Sequence, residues 1–190
     1  MTDDYDLSQV LFRQAKARYW AARRFANEAT EREVQGDSGE RQQRERDAVI
    51  TTLILTQASA ECYANWVHIQ ARTSPGPRWV KRWERLPTAA EAMGRPANAE
   101  LNETQCEFLN LLGAWRQALM HGDDTAWDRL RNKLIKSGAL PSDTSVLDLL
   151  TVDLAESMVT RADELFRWAQ DLTGIQAPFL DSAWVAADEY

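Results

Sequence analysis

The stretch from Glu103 to Asp123 reads ETQCEFLNLLGAWRQALMHGD and decides the fold class of this 190-residue chain. Its apolar residues recur every three or four positions, at Phe108, Leu112, Trp115 and Leu119. That spacing is typical of an amphipathic helix with one buried face. From Glu103 to His121, Gly113 is the only glycine or proline. The stretch therefore predicts a long helix from about Glu103 to Met120.

The rest of the chain is also arranged in long stretches free of glycine and proline. They predict three more long helices, over about Leu7–Val34, Arg41–Arg72 and Ser145–Leu172, and a shorter one over Asp124–Ser137. Part of the second, from Val49 to Thr56, is rich in β-branched residues. We expect a helix there because tertiary context often overrides β-propensity.

No alternation typical of strands and no internal repeat is found. The expected fold is therefore all-α, a bundle of four long helices with short accessory helices. We expect a single domain over residues 1–190, with a core over about 7–173 and a tail over 174–190. The sequence begins without a signal-peptide pattern and contains no uncharged apolar run of membrane-spanning length, which favours a cytoplasmic protein without a membrane partner.

Charge and composition restrict the classes of function. The formal net charge is −7, so contact with nucleic acid has to be local. The segment from Arg72 to Arg95 is such a local basic region. Two cysteines and two histidines occur without the spacing of a metal site, so we expect no metal and no cofactor. Cys62 and Cys106 are expected in the core.

One short motif has the residue types of a reactive site. Arg116 and His121 are separated by four residues at the end of the apolar helix. Here the sequence resembles the HEPN family, helical domains associated with RNA cleavage in toxins and defence systems, whose hallmark is Arg, four to six residues, then His. The similarity spans roughly Thr51 to Asp123. Gln117 follows the arginine where the family often has Asn.

The resemblance implies an endoribonuclease that needs no metal and cleaves RNA by attack of the ribose 2′-OH. His121 would be the general acid and base, since histidine titrates near neutrality, and Arg116 would clamp the phosphate with two N–H groups. The two residues lie about 140° apart on an ideal helix. They converge only if the last turn unwinds at Gly122 or if each faces a second copy, and HEPN domains are usually homodimers.

Other polar residues are candidates for supporting roles. Gln117 would contact the site, while Glu61 and Asn65 would orient Arg116 from the second helix. The basic and aromatic segment after Ser74 would bind phosphates and stack bases. Its candidate RNA contacts are Arg78, Trp79, Lys81, Arg82 and Trp83.

Structural explanations stay open for the same residues. Arg116 would form an ion pair with Glu61, and His121 would bond the free carbonyls at a helix end. The polar stripe Gln57, Glu61, Asn65 and His68 would be a buried network, and the basic segment a solvated loop.

Three functions therefore remain. The first is the ribonuclease, with RNA as substrate and an antitoxin or other regulatory protein as a partner. The second is a non-catalytic HEPN-like module that binds a nucleotide, RNA or a protein. The third is a structural oligomer built on tryptophan-rich faces.

Overall fold

The computed structural model describes residues 3–32, 38–97, 99–141 and 143–177. Within these ranges the chain forms seven α-helices and a short 3-10 helix, and no β-strand, which confirms the all-α class. The predicted tail lies outside the described residues from 178 onward. The helices are α1 Asp3–Arg32, α2 Ser38–Gln70, α3 Trp79–Glu84, α4 Leu86–Ala92, α5 Glu103–His121, α6 Asp124–Lys136 and α7 Val152–Thr173.

The helix predicted from the opening stretch is confirmed as α5. Asn102 Oδ1 accepts a hydrogen bond from the Gln105 backbone N–H at 2.8 Å, and Gln105 Oε1 accepts one from the Asn102 N–H at 2.9 Å. This reciprocal cap satisfies two N–H groups that the first turn would leave unpaired. At the other end, Gly122 takes a left-handed conformation with φ 64° and closes the helix after His121.

The β-branched segment of α2 is helical, as predicted, because it packs against α1. Thr52 Oγ1 donates to the Ala15 carbonyl at 3.5 Å, and Ser59 Oγ donates to the Ser8 carbonyl at 2.9 Å. Residue numbers rise along α2 as they fall along α1, so the two helices form an antiparallel hairpin. Buried Val49 and Leu53 follow the same helical face as these contacts.

One prediction about local structure is wrong, and one of the alternatives left open is excluded. The last long helix begins at Val152 rather than Ser145, because a 3-10 helix over Val146–Leu149 precedes it and the extended Thr151 caps α7. The basic segment after Ser74 is not a solvated loop: it folds into α3 and α4, and both helices bury side chains.

The centre of the core is an aromatic cluster from four helices. Phe166 of α7 lies 5.0 Å from Phe12 and 5.2 Å from Tyr63, measured between ring centroids. Trp83 of α3 lies 6.1 Å from both Tyr63 and Phe166 and is fully buried. Edge-to-face packing of this kind stabilises a core beyond its buried area. It anchors the short helix α3 to α2 and α7.

Candidate functional site

A cleft of about 900 Å³ opens between helices α2, α3, α5 and α6. We call it the basic cleft because its lining has six cationic side chains and three anionic ones, in a chain of net charge −7. The cations are Arg78, Lys81, Arg82, Arg116, Arg129 and Lys133, and the anions are Glu61, Glu84 and Asp123. Positive charge concentrated in a concave surface attracts anionic ligands.

One stripe of α5 forms the floor of the basic cleft: Asn110, Gly113, Ala114 and Gln117. Arg116 is partly buried and reaches the cleft from the flank of this stripe, whereas Gln117 is exposed. The structure thus brings Arg116 and Gln117 together with Glu61 in one cleft.

His121 lies one turn beyond the floor and is not among its lining residues. It is exposed, and ideal helical geometry puts it about 40° from Gln117 and about 140° from Arg116 around α5. The helix does not unwind before Gly122, so the first route to convergence of Arg116 and His121 is absent. Among the described residues, the His121 side chain has no hydrogen bond or ion pair, so the expected bond to helix-end carbonyls is not formed.

Trp79 forms a wall of the basic cleft where α3 crosses α5. A β-carbon at Gly113 would lie 2.5 Å from Trp79 Nε1, so only glycine allows this approach. Trp79 is partly buried and lines the cleft, as does its exposed neighbour Arg78. Trp83, predicted as an RNA contact, has 0% exposure, and that prediction is wrong because its ring belongs to the core cluster.

Glu61 is paired, but not with Arg116 as the structural alternative expected. Its Oε1 accepts a hydrogen bond from Arg82 Nη1 at 2.5 Å, and its Oε2 accepts one from Gln57 Nε2 at 3.1 Å. The Glu61 and Arg82 side chains are 28% and 20% exposed. Arg82, predicted as an RNA contact, therefore holds α3 to α2 through an ion pair. Asn65, one turn along α2, is partly buried and does not line the cleft.

Three arginines of the basic cleft have no such partner. Within the described residues, no ion pair or side-chain hydrogen bond engages Arg78, Arg116 or Arg129. Lys81 pairs with Glu84 on the surface, and Lys133 Nζ donates only to the Asn110 carbonyl, at 3.2 Å. A guanidinium without a carboxylate partner is available to a phosphate, which it can bind with two N–H groups.

His68 has a structural role. Its side chain is 1% exposed, with Nε2 2.8 Å from the Arg82 carbonyl and Nδ1 2.8 Å from Thr73 Oγ1. A carbonyl only accepts, so Nε2 carries the proton and Nδ1 accepts from the threonine hydroxyl. Burial lowers the pKa of His68, and the positive charges of Arg85 and Arg82 lower it further. The hydrogen bond to the Arg82 carbonyl acts in the opposite direction and raises this pKa.

The remaining candidates for chemistry are few. Cys62 and Cys106 form no disulfide within the described residues. Both are only partly buried, so the expectation that they lie in the core is wrong. Burial and the nearby Glu84 raise the pKa of the Cys106 thiol, which makes it a poor nucleophile. Over the described ranges no cluster of histidine, cysteine or acidic side chains has the grouping of a metal site, and no helix has the length and apolarity to cross a membrane.

The sequence analysis missed two cations of the cleft, Arg129 and Lys133 on α6. They lie four residues apart on one helical face, with Thr125 one turn before them. That spacing was visible in the sequence, but nothing in it showed that this face of α6 lies opposite α3.

Comparisons with protein-family models, with curated proteins and with solved structures gave no match to this chain.

Proposed function

We propose that this protein is a metal-independent endoribonuclease of the HEPN type, and that RNA binds in the basic cleft. The observation that carries the proposal is that three arginines without an ion-pair partner among the described residues line the same cleft as Trp79, in a chain of net charge −7. Unpaired cations bind the phosphate backbone, and an aromatic wall stacks a base. Arg116, the arginine of the motif, is one of these cations.

The cleavage step needs one base, one acid and one fixed cation. Neutral His121 removes the proton from the ribose 2′-OH, and the 2′ oxygen attacks the adjacent phosphorus. The bond from phosphorus to the 5′ oxygen breaks, and an imidazolium donates a proton to that leaving oxygen. The products are a 2′,3′-cyclic phosphate and a 5′-OH. Arg116 stabilises the charge on the phosphorane oxygens, and Gln117 supplies a neutral hydrogen bond.

A homodimer fits this geometry. The angle of about 140° between Arg116 and His121 favours a site to which a second copy contributes. Met120, between them, is 56% exposed, so it offers an apolar contact to a second copy. The proposed setting is a cytoplasmic toxin or defence protein, with an antitoxin or other regulatory protein as its partner.

The test uses purified protein and single-stranded RNA in the presence of EDTA. We expect cleavage to 2′,3′-cyclic phosphate ends, and no cleavage of DNA, which lacks the 2′-OH. His121→Ala should abolish cleavage while circular dichroism stays unchanged, and Arg116→Lys should impair it because an ammonium lacks the bidentate grip. Robust cleavage by both His121→Ala and Arg116→Ala proteins would show that the site lies elsewhere.

A non-catalytic RNA-binding module is the second candidate. The observation that favours it is that His121 lies outside the lining of the basic cleft. Such a module would bind RNA in EDTA and leave it intact at any protein concentration, and Arg116→Ala would weaken binding while His121→Ala would not.

A further inference from the structure

Helix α6 presents a row of polar residues to the basic cleft. Thr125, Arg129 and Lys133 follow one another at intervals of four residues, so they share one face of α6. Arg129 and Lys133 are exposed, and neither has a carboxylate partner among the residues that the structure describes. We call these two side chains the α6 cation pair.

The position of the α6 cation pair differs from that of the motif. Arg116 belongs to α5, and Arg78 to the entry of α3, across the cleft from α6. Four residues of helix advance about 6 Å, so Arg129 and Lys133 can each engage one of two successive phosphates in an extended strand. With Arg78 and Arg116 they make four cations that lack a carboxylate partner in the described part of the chain, and four positive charges exceed the charge of one phosphate group.

We infer that the α6 cation pair is a second phosphate-binding site and that the substrate is a single-stranded oligonucleotide rather than a mononucleotide. The strand lies between α3 and α6, with phosphates on Arg129 and Lys133 and a base against Trp79. A cleft of about 900 Å³ is at the upper end of ordinary ligand sites, so it has room for a segment of a single strand. This inference rests on the proposed RNA binding.

The salt dependence of binding measures the number of phosphates engaged. The probe is a fluorescent 2′-O-methyl oligouridylate of about ten nucleotides, within the usual site size of single-strand clefts. Its blocked 2′ oxygen prevents cleavage, so binding can be followed by anisotropy with the wild-type protein. Removing one cation that neutralises a phosphate should reduce the slope of log K against log salt by about 0.7 for a single strand.

We expect Arg129→Ala and Lys133→Ala each to reduce the slope by about 0.7 and to weaken binding several-fold. Lys136→Ala is the matched control, because Lys136 is an exposed cation of α6 outside the cleft lining, and it should change neither quantity. Uridine monophosphate should compete far more weakly than the oligonucleotide. Circular dichroism checks that each variant keeps its helix content.

The outcomes separate this inference from the proposed function. Unchanged slopes for both α6 variants, with a reduced slope for Arg78→Ala, would overturn the α6 site and leave RNA binding in the cleft intact. Equal competition by uridine monophosphate would overturn the oligonucleotide as substrate class. No binding of the probe under any salt condition would overturn the proposed function together with this inference.

Discussion

Glu61 determines how the basic cleft is held together. Both of its carboxylate oxygens are engaged, one by Arg82 and one by Gln57, so its removal leaves a partly buried guanidinium without its anion. Loss of a hydrogen bond to a charged group costs about 1–3 kcal/mol. We therefore expect Glu61→Ala to lower the free energy of unfolding by about that amount in a urea titration.

Glu84→Ala is the control for Glu61, because its pair with Lys81 lies on the surface and should contribute less than about 1 kcal/mol. The variant Glu61→Ala combined with Arg82→Ala should cost less than the sum of the two single changes. Equal midpoints for wild type and Glu61→Ala would contradict the role of this ion pair.

His68 should make stability depend on pH. Its pKa is lowered in the folded protein, while the unfolded chain binds a proton at about 6.5. Between these two pKa values the unfolded state holds more protons, so the free energy of unfolding falls as the pH is lowered through that window. Protonation thus favours unfolding.

The control for this pH dependence is the variant His68→Gln. The glutamine amide can still donate a hydrogen bond to the Arg82 carbonyl, but it does not titrate. Unfolding free energies from pH 8 to pH 5 should fall more steeply for the wild type than for the variant. Other titrating groups, such as Asp163 with its burial-raised pKa, are common to both proteins and cancel in the difference. Parallel curves would refute the contribution of His68.

The crossing of α3 and α5 depends on a glycine. In an open helix, Gly113→Ala would stabilise by about 1 kcal/mol through helix propensity. Here the new β-carbon would approach Trp79 Nε1 to 2.5 Å, and overpacking of this kind costs about 1–3 kcal/mol. We expect a net loss or no gain in thermal and urea stability, and weaker binding of RNA because the Trp79 wall is displaced.

Two controls isolate the contact between Gly113 and Trp79. In a Trp79→Ala background the clash is removed, so Gly113→Ala should then stabilise the protein by up to about 1 kcal/mol. Gly39→Ala in α2 meets no atom within 4 Å and should be neutral or stabilising. The interpretation fails if Gly113→Ala stabilises both backgrounds equally.

Sequence periodicity predicted the helices because the burial of one face is encoded locally, every three or four residues. The caps of α5 at Asn102 and Gly122 are local as well. The ion-pair partner of Glu61 is distant in the sequence, because Arg82 lies 21 residues away. The two side chains meet because the buried Trp83 ring fixes α3 against the core. The basic and aromatic composition of their segment made Arg82 and Trp83 resemble RNA contacts. Packing made Arg82 an ion-pair partner and Trp83 a core residue.

The cationic side chains of the basic cleft come from several helices, so no single sequence motif contains them. Cations from α3, α5 and α6 meet in one cleft although α4 and a loop separate α3 from α5 along the chain. The sequence motif identified Arg116 and Gln117 as candidate site residues. Arg129 and Lys133 join the lining of the basic cleft only because α6 packs against α5. A single chain leaves Arg116 and His121 on different sides of α5, so the proposed cleavage requires that a second copy brings them together.

The dimer is tested by mixing two inactive variants. If one cleft uses Arg116 of one protomer and His121 of the other, a mixture of Arg116→Ala and His121→Ala proteins regenerates an intact site. Random exchange of protomers in a two-fold dimer should restore about a quarter of wild-type cleavage. Light scattering should give twice the 21.6 kDa chain mass for each protein. A monomer at micromolar concentration, with a mixture as inactive as either variant alone, would exclude a shared site, because complementation requires that both side chains enter one cleft.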